Sequence, residues 1–359
     1  MRRITTVTAA AAVSTLILVG CSSTSTQTSP SATTATASAT TSATAGSTDD
    51  TTPAMVAAAE AFLATLTDEQ KTSVSFEFSD TAQRQRWSNL PQGLFQRAGL
   101  MWGDLSTQSQ DAWLALMQTT MSTEGYERVR AEWAADDQLS GGGSNSYGMQ
   151  YYWVALIGTP STTEAWQWQW GGHHVTVNAT IKGTDLSLTP SFIGAQPTSY
   201  DANGTAVKPL GDILDEAAAL VTGLADTQKA KAVLGSSYID LILGPGEDGR
   251  TIEAEGVAGA DLTDAQKAQL LAIIGEYGNL ENAEDGAARM QELEADLDST
   301  YFAWYGPTDT TEGVYFRITG PKVVIEYSNQ SMGGDPADHV HGIYRDPTDD
   351  YGAAFGAGL

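Results

Sequence analysis

The chain has 359 residues, and its 18 Lys and Arg stand against 44 Asp and Glu, a formal net charge of −26 at pH 7. No basic patch exists to neutralise phosphates, so nucleic acid is excluded as an expected partner. Cys21 is the single cysteine, which excludes internal disulfides, thiolate metal cages and a cysteine nucleophile downstream of it.

Arg2 and Arg3 precede an apolar run, Ile4 to Leu18, too short for a comfortable transmembrane helix. This is the pattern of a signal peptide over residues 1–20. The run closes on Leu18-Val19-Gly20-Cys21, which resembles the lipobox of bacterial lipoproteins, where the cysteine is acylated and becomes the new N-terminus. The resemblance implies lipidation at Cys21, a membrane partner reached through that lipid, and a place in the cell envelope on the outer face of a membrane. Beyond Cys21, the segment 21–53 is almost wholly Ser, Thr and Ala with Pro30 and Pro53, a composition that cannot bury enough apolar surface to offset chain entropy, and it reads as a tether. Residues 54–359 are long enough for one globular domain with a large core.

Ala54 to Leu66 reads as an amphipathic helix, followed by Leu66-Thr67-Asp68-Glu69-Gln70-Lys71, in which Thr67 and Gln70 have the capping-box spacing for another. The phrase returns at 262–267, as a variant at 224–229 and more distantly at 105–110. Its unequal spacings favour repeated helix starts over a repeat protein. Trp113, Leu114, Leu116 and Met117, then Tyr126, Val129 and Trp133, recur at helical spacing and read as core. After Gly141 to Gly143 the period changes. Strands are expected over Tyr151 to Ile157, Glu164 to Trp170, His174 to Lys182 and Asp185 to Phe192. A second helical block is expected from Ile213 to Leu243 and on to about Leu297, and Gly244 to Gly249 reads as a surface turn. Strands resume over Tyr301 to Tyr305, Val314 to Thr319 and Lys322 to Tyr327. Strand runs segregated from helix runs predict an α+β fold, with a largely antiparallel mixed sheet formed from the two strand blocks and the helical blocks packed around it.

The four histidines occur as His173-His174 and as His339-Val340-His341. Residues two apart on an extended segment project to one face, so His339 and His341 can grip one ion. One of the adjacent pair is the expected third ligand. His174 is favoured because its phase is polar, with His173 as the alternate, and a bulge at Gly171-Gly172 would reset the face. Sulfur being unavailable, Glu326 in an apolar strand is the expected fourth ligand, with a salt bridge to Arg317 as its equal alternative. The ion expected is divalent: zinc first, with copper or iron as alternatives. Core or capping imidazoles are the structural reading of the same histidines.

Around them, Trp166, Trp168, Trp170, Trp304 and Tyr305 could line a pocket for a sugar ring or another small molecule, or simply fill the core. Arg317 and Arg345 could bind a substrate carboxylate or phosphate, or pair with Asp346, Asp349 or Asp350. No Gly-x-Ser-x-Gly elbow and no HExxH motif occurs, which disfavours a serine hydrolase or a zincin. Three functions fit: a metal-dependent enzyme in which the ion activates water and Glu326 or Asp346 moves protons, a metal-binding or delivery lipoprotein, and a metal-free ligand-binding envelope protein.

Several stretches carry a further resemblance: Trp166 to His174, Pro190 to Pro197, Phe302 to Gly306, Tyr315 to Ile318, Gly320 to Tyr327, and His339 to Asp346. On these the chain, from about residue 54 onward, resembles the family catalogued as domain of unknown function 3500. Members are typically secreted or lipid-anchored and share the paired-His and His-x-His signatures. The resemblance implies a common site at the matching positions and no established activity.

Overall fold

The computed structural model describes residues 51–139, 146–310, 312–332 and 334–359. The expected signal peptide, Cys21 and nearly all of the expected linker lie outside the described residues. Helix α1, Thr52–Ala64, starts with Pro53 in its first turn, where the missing N–H costs no hydrogen bond. In α2, Asp68–Val74, Thr67 accepts from the Gln70 amide while the Gln70 side chain accepts from the Thr67 amide, so the expected capping box is formed. The pair α3, Thr107–Thr120, and α4, Thr123–Gln138, is capped by Ser106 and Ser122. In the second half come α5, Ile213–Gly223, and α6, Asp226–Ala232, then α7, Asp264–Gly278, with a Thr263/Gln266 capping box, and α8, Ala283–Ala295. Among the described residues no helix is long and apolar enough to cross a membrane.

The principal strands are β1, Ser75–Phe76; β2, Trp153–Ile157; β3, Trp166–Gly171; β4, Val175–Lys182; β5, Ser191–Ile193; β6, Val233–Gly235; β7, Tyr301–Tyr305; β8, Tyr315–Thr319; β9, Val324–Asn329; and β10, Val340–Arg345. They form one sheet in the order β1-β2-β3-β4-β5-β10-β9-β8-β7-β6, antiparallel except for the end pairs β1/β2 and β6/β7. The fold is α+β, and the two strand blocks join at β5/β10, as the sequence predicts. Two expectations fail locally. The strand expected over Asp185 to Phe192 breaks before Ser191, where Pro190 offers no amide to a ladder. The helix expected to run to Leu243 stops at Ala232, and residues 236–256 carry neither helix nor strand. Gly235, Gly244, Pro245, Gly246 and Gly249 deny that segment a regular ladder.

Cross-strand pairs share a face, and the register divides the sheet sharply. Trp170 faces Val154 and Val177, while Ile318 faces Phe302 and Ile325. This apolar face receives the helices: Trp113 meets Trp168 edge-on at 6.0 Å between ring centroids, and Trp133 meets Trp170 at 5.1 Å. On the opposite face Gln169 pairs with Asn178, Arg317 with Glu326, and Ser328 with His341. That face is polar yet buried, covered by residues 77–98 and 236–256. Arg84 donates to Gln167 at 3.0 Å from the first cover, and Ser328 donates to the Ile239 carbonyl at 2.7 Å in the second.

The described residues repeat one arrangement in two halves. In each half a short helix runs into an edge strand (α2 into β1, α6 into β6), then a helix pair, then a three-stranded meander. The meanders match residue for residue: Val154 and Trp170 stand in the first as Phe302 and Ile318 stand in the second, and Gln169/Asn178 stand as Arg317/Glu326. Even the turns correspond, since Gly172 donates to the Val175 carbonyl and Gly320 to the Val323 carbonyl. The halves meet antiparallel at β5/β10 and again where Ser122 N donates to Leu280 O and Asn282 N donates to Thr120 O, both at 3.0 Å. Each copy of the recurring phrase stands at a helix start, as read from the sequence, with Thr67, Ser106, Ala225 and Thr263 at the N-cap positions.

Candidate metal centre

His173 and His174 form the two-residue connection of the β3/β4 hairpin, closed by the Gly172 amide on the Val175 carbonyl at 2.9 Å. A turn, and not a bulge, therefore decides where the rings go. His174 sits at φ 71°, the left-handed region that glycine prefers. The turn is held from outside: Arg97 donates to the Gly172 carbonyl at 2.9 Å, and the Tyr152 hydroxyl donates to the His173 carbonyl. His339 is extended and lies just before β10, and His341 lies within it, so both project to the polar face opposite Ser328.

Three ring nitrogens converge. His174 Nε2 lies 2.8 Å from His339 Nε2, which lies 3.1 Å from His341 Nε2. Three donors on a tetrahedral ion with bonds of 2.0–2.1 Å stand about 3.3 Å apart, so small adjustments bring these nitrogens into one coordination sphere. Proton accounting points the same way. His339 Nδ1 faces the Met332 carbonyl at 2.5 Å and so carries the hydrogen, leaving Nε2 a single lone pair for two neighbouring nitrogens. A cation accepts all three lone pairs at once. His174 is 1 % exposed and His341 is only partly buried, which gives the cluster an inner and an outer side. Burial is the leading cause that pushes the titration of all three rings below the usual histidine range, His341 to about 3, with mutual repulsion adding to it. Neutral imidazole is the form that binds metal.

His173 turns elsewhere. Its Nδ1 lies 2.5 Å from Asp136 Oδ1, while Asp136 Oδ2 accepts from the Gly148 amide at 2.9 Å. Asp136, His173 and His174 form a second group of possible ligands that shares His174 with the first. The amide nitrogen of Asn89 rests 3.3 Å from His341 Nε2. Asp136, Asn89 and the Met332 carbonyl escape a reading of motifs. Only Asp136 leaves a trace, because it falls in phase with Tyr126, Val129 and Trp133 on the apolar stripe of α4, where a carboxylate needs a partner.

The other expected site residues are placed apart from the histidines. Glu326 is fully buried, but its oxygens accept from the amides of Ile242 at 2.8 Å and Leu243 at 2.7 Å and from the Tyr315 hydroxyl at 2.6 Å. It pins the 236–256 cover and is neither a ligand of this cluster nor the ion-pair partner of Arg317, which reaches outward to Glu255 at 2.5 Å. Arg345 is buried between Asp248 at 3.0 Å and Asp350 at 2.7 Å. Asp346 accepts from Arg289 at 2.7 Å beside a different cavity of about 460 Å³, lined also by Glu281 and Lys322. Trp166, Trp168, Trp170 and Trp304 have no exposed surface and belong to the helix-packed face, opposite His341. They fill the core and line no pocket with the histidines.

No curated protein and no solved structure matches the chain. The family model described as "Protein of unknown function (DUF3500)" matches residues 48–353, and the chain belongs to that family.

Proposed function

We propose that the protein binds one divalent transition metal, zinc first among them with copper or iron as alternatives, at His174, His339 and His341. On this reading it works outside the cytoplasm as a lipoprotein anchored through Cys21, and its metal serves hydrolytic chemistry on a small molecule. The single observation that carries the reading is the convergence of three Nε2 atoms on one point. Three neutral nitrogen donors leave a tetrahedral ion one position for water, and bound water becomes a nucleophile near neutral pH. Among the described residues no carboxylate joins this group, which supports an open position over a closed cage. Glu326 and Asp346 are occupied elsewhere, so the proton-moving role expected of them is withdrawn. The burial of His174 and His339 favours a second reading, metal storage or delivery, for which ion exchange and not turnover would be the function.

Protein purified without a His tag should carry metal by elemental analysis, and chelator should lower its melting temperature. In His341→Ala the metal content should fall at least tenfold, with the chelator effect abolished. Wild-type metal content in His341→Ala, together with a melting curve indifferent to chelator, would sink the proposal. Cobalt substitution separates the two readings, because an open position takes up azide with a visible spectral shift and a closed site does not.

A further inference from the structure

His174 is a member of both possible ligand groups, and its two ring nitrogens are in different situations. Nε2 faces His339. Nδ1 is buried and has no hydrogen-bond partner. Binding one metal through Nε2 does not repair this, because the hydrogen must then sit on Nδ1, a buried donor without an acceptor. Asp136 takes His173 on one oxygen and the Gly148 amide on the other, and no hydrogen bond joins it to Nδ1 of His174. Both rings nevertheless lie against this carboxylate, stacked on each other with centroids 3.5 Å apart and 33° between their planes. A ligand that accepted a lone pair from Nδ1 of His174, a lone pair from His173 and the charge of Asp136 would satisfy all three.

We propose that Asp136, His173 and Nδ1 of His174 form a second divalent-metal position, so that the His174 imidazole bridges two ions. The proposal rests on the first metal reading, since His174 must already be a ligand through Nε2. The proton balance is explicit. His174 enters neutral and gives its one ring N–H proton to solvent, and its two nitrogens then each form a bond to one ion. His173 moves its proton from Nδ1 to Nε2 and binds through Nδ1, with no net loss. The clamped turn holds both rings ready: the Tyr152 hydroxyl, Arg97 and the Gly172 to Val175 hydrogen bond fix the backbone on which they stand. The left-handed φ of His174 is the backbone conformation that this placement requires.

The test uses the full chain, untagged, stripped with chelator and titrated with Zn²⁺ and separately with Cu²⁺. Wild type should take up two equivalents, the second with release of a proton, and two Cu²⁺ ions should show magnetic coupling across the shared ring. Asp136→Asn and His173→Gln should each take up one equivalent with no coupling, and His174→Ala should lose both. One equivalent in wild type overturns the second position while leaving the first intact, and then Asp136 and His173 only position the turn. Zero equivalents overturn both readings. Two equivalents in Asp136→Asn also overturn the proposal. Should that variant fail to fold, wild-type stoichiometry and the copper coupling still decide.

Discussion

At position 174 an imidazole occupies a backbone conformation that costs most residues about 1–2 kcal/mol, and its ring is then buried against three other imidazoles. Neither feature stabilises the chain, which is why the four histidines read as function and not as core. They were legible in the sequence because every histidine falls in one of two doublets. Asp136 was legible only as one acid of five in its helix that falls on the apolar stripe, a place that calls for a partner without saying which. The neutral rings make a pH prediction. His341 titrates near 3 in the folded chain, against about 6.5 unfolded, so below 6.5 the unfolded chain binds a proton that the folded chain refuses. Stability from this ring is present above pH 6.5 and is lost as pH falls toward 3, by about 1.4 kcal/mol per pH unit. Glu281 works in the opposite sense. Burial raises its titration to about 8, so the folded chain takes up its proton first and gains stability as pH falls. The measurement is therefore a difference: urea unfolding of metal-free wild type and His341→Gln at pH 7 and pH 5. Wild type should lose about 2 kcal/mol more than the variant over that range, and equal losses would refute the assignment of a neutral ring at His341.

At the scale of elements, alternation and turn residues place most strands, and Tyr301–Tyr305 has the bounds read from its residues. What sequence could not supply is which face of a strand meets the helices and which meets a cover of irregular chain. Both faces are buried, so both carry large side chains, and the tryptophans fit a pocket as well as the core that an aromatic stripe more often forms. Glu326 shows the same limit. An acid in an apolar strand needs a partner, and the partners proved to be main-chain amides of a segment read as helix. Because residues 236–256 lack regular structure, their amides need acceptors elsewhere, and one carboxylate serves two of them. Glu326→Gln replaces one acceptor oxygen by an amide that cannot accept, and it should cost about 1–3 kcal/mol in chemical unfolding. Metal content should stay at the wild-type level. A variant that kept full stability and lost its metal would reverse the assignment, making Glu326 a ligand and not the pin of the cover.

On the scale of the whole molecule, two halves of like arrangement join in one sheet. The connection from α4 to β2 runs over 139–152 while that from α8 to β7 runs over 296–300, so equivalent residues drift in spacing although the pairing is preserved. The halves also differ in chemistry: the turn Gly172-His173-His174-Val175 corresponds to Gly320-Pro321-Lys322-Val323, which offers no imidazole. The three-histidine cluster therefore has no counterpart at the equivalent turn, and it is shared, with His174 coming from the first half and His339 and His341 from the second. The hairpin Tyr200–Ala202/Thr205–Val207 lies between the halves outside the main sheet, with Asn203 and Gly204 at its exposed turn. Cutting there removes no ladder hydrogen bond of the large sheet, whereas β5/β10 and the Ser122/Leu280 contact bind the halves across the join. Residues 47–203 and 204–359 expressed together as separate chains should copurify as a one-to-one pair that binds metal as the intact chain does. Each alone should bury too little apolar surface on its open edge to stay soluble. Should either fragment alone fold and bind metal with wild-type affinity, the centre does not span the two halves, and the pairing of His174 with His339 and His341 would have to be abandoned.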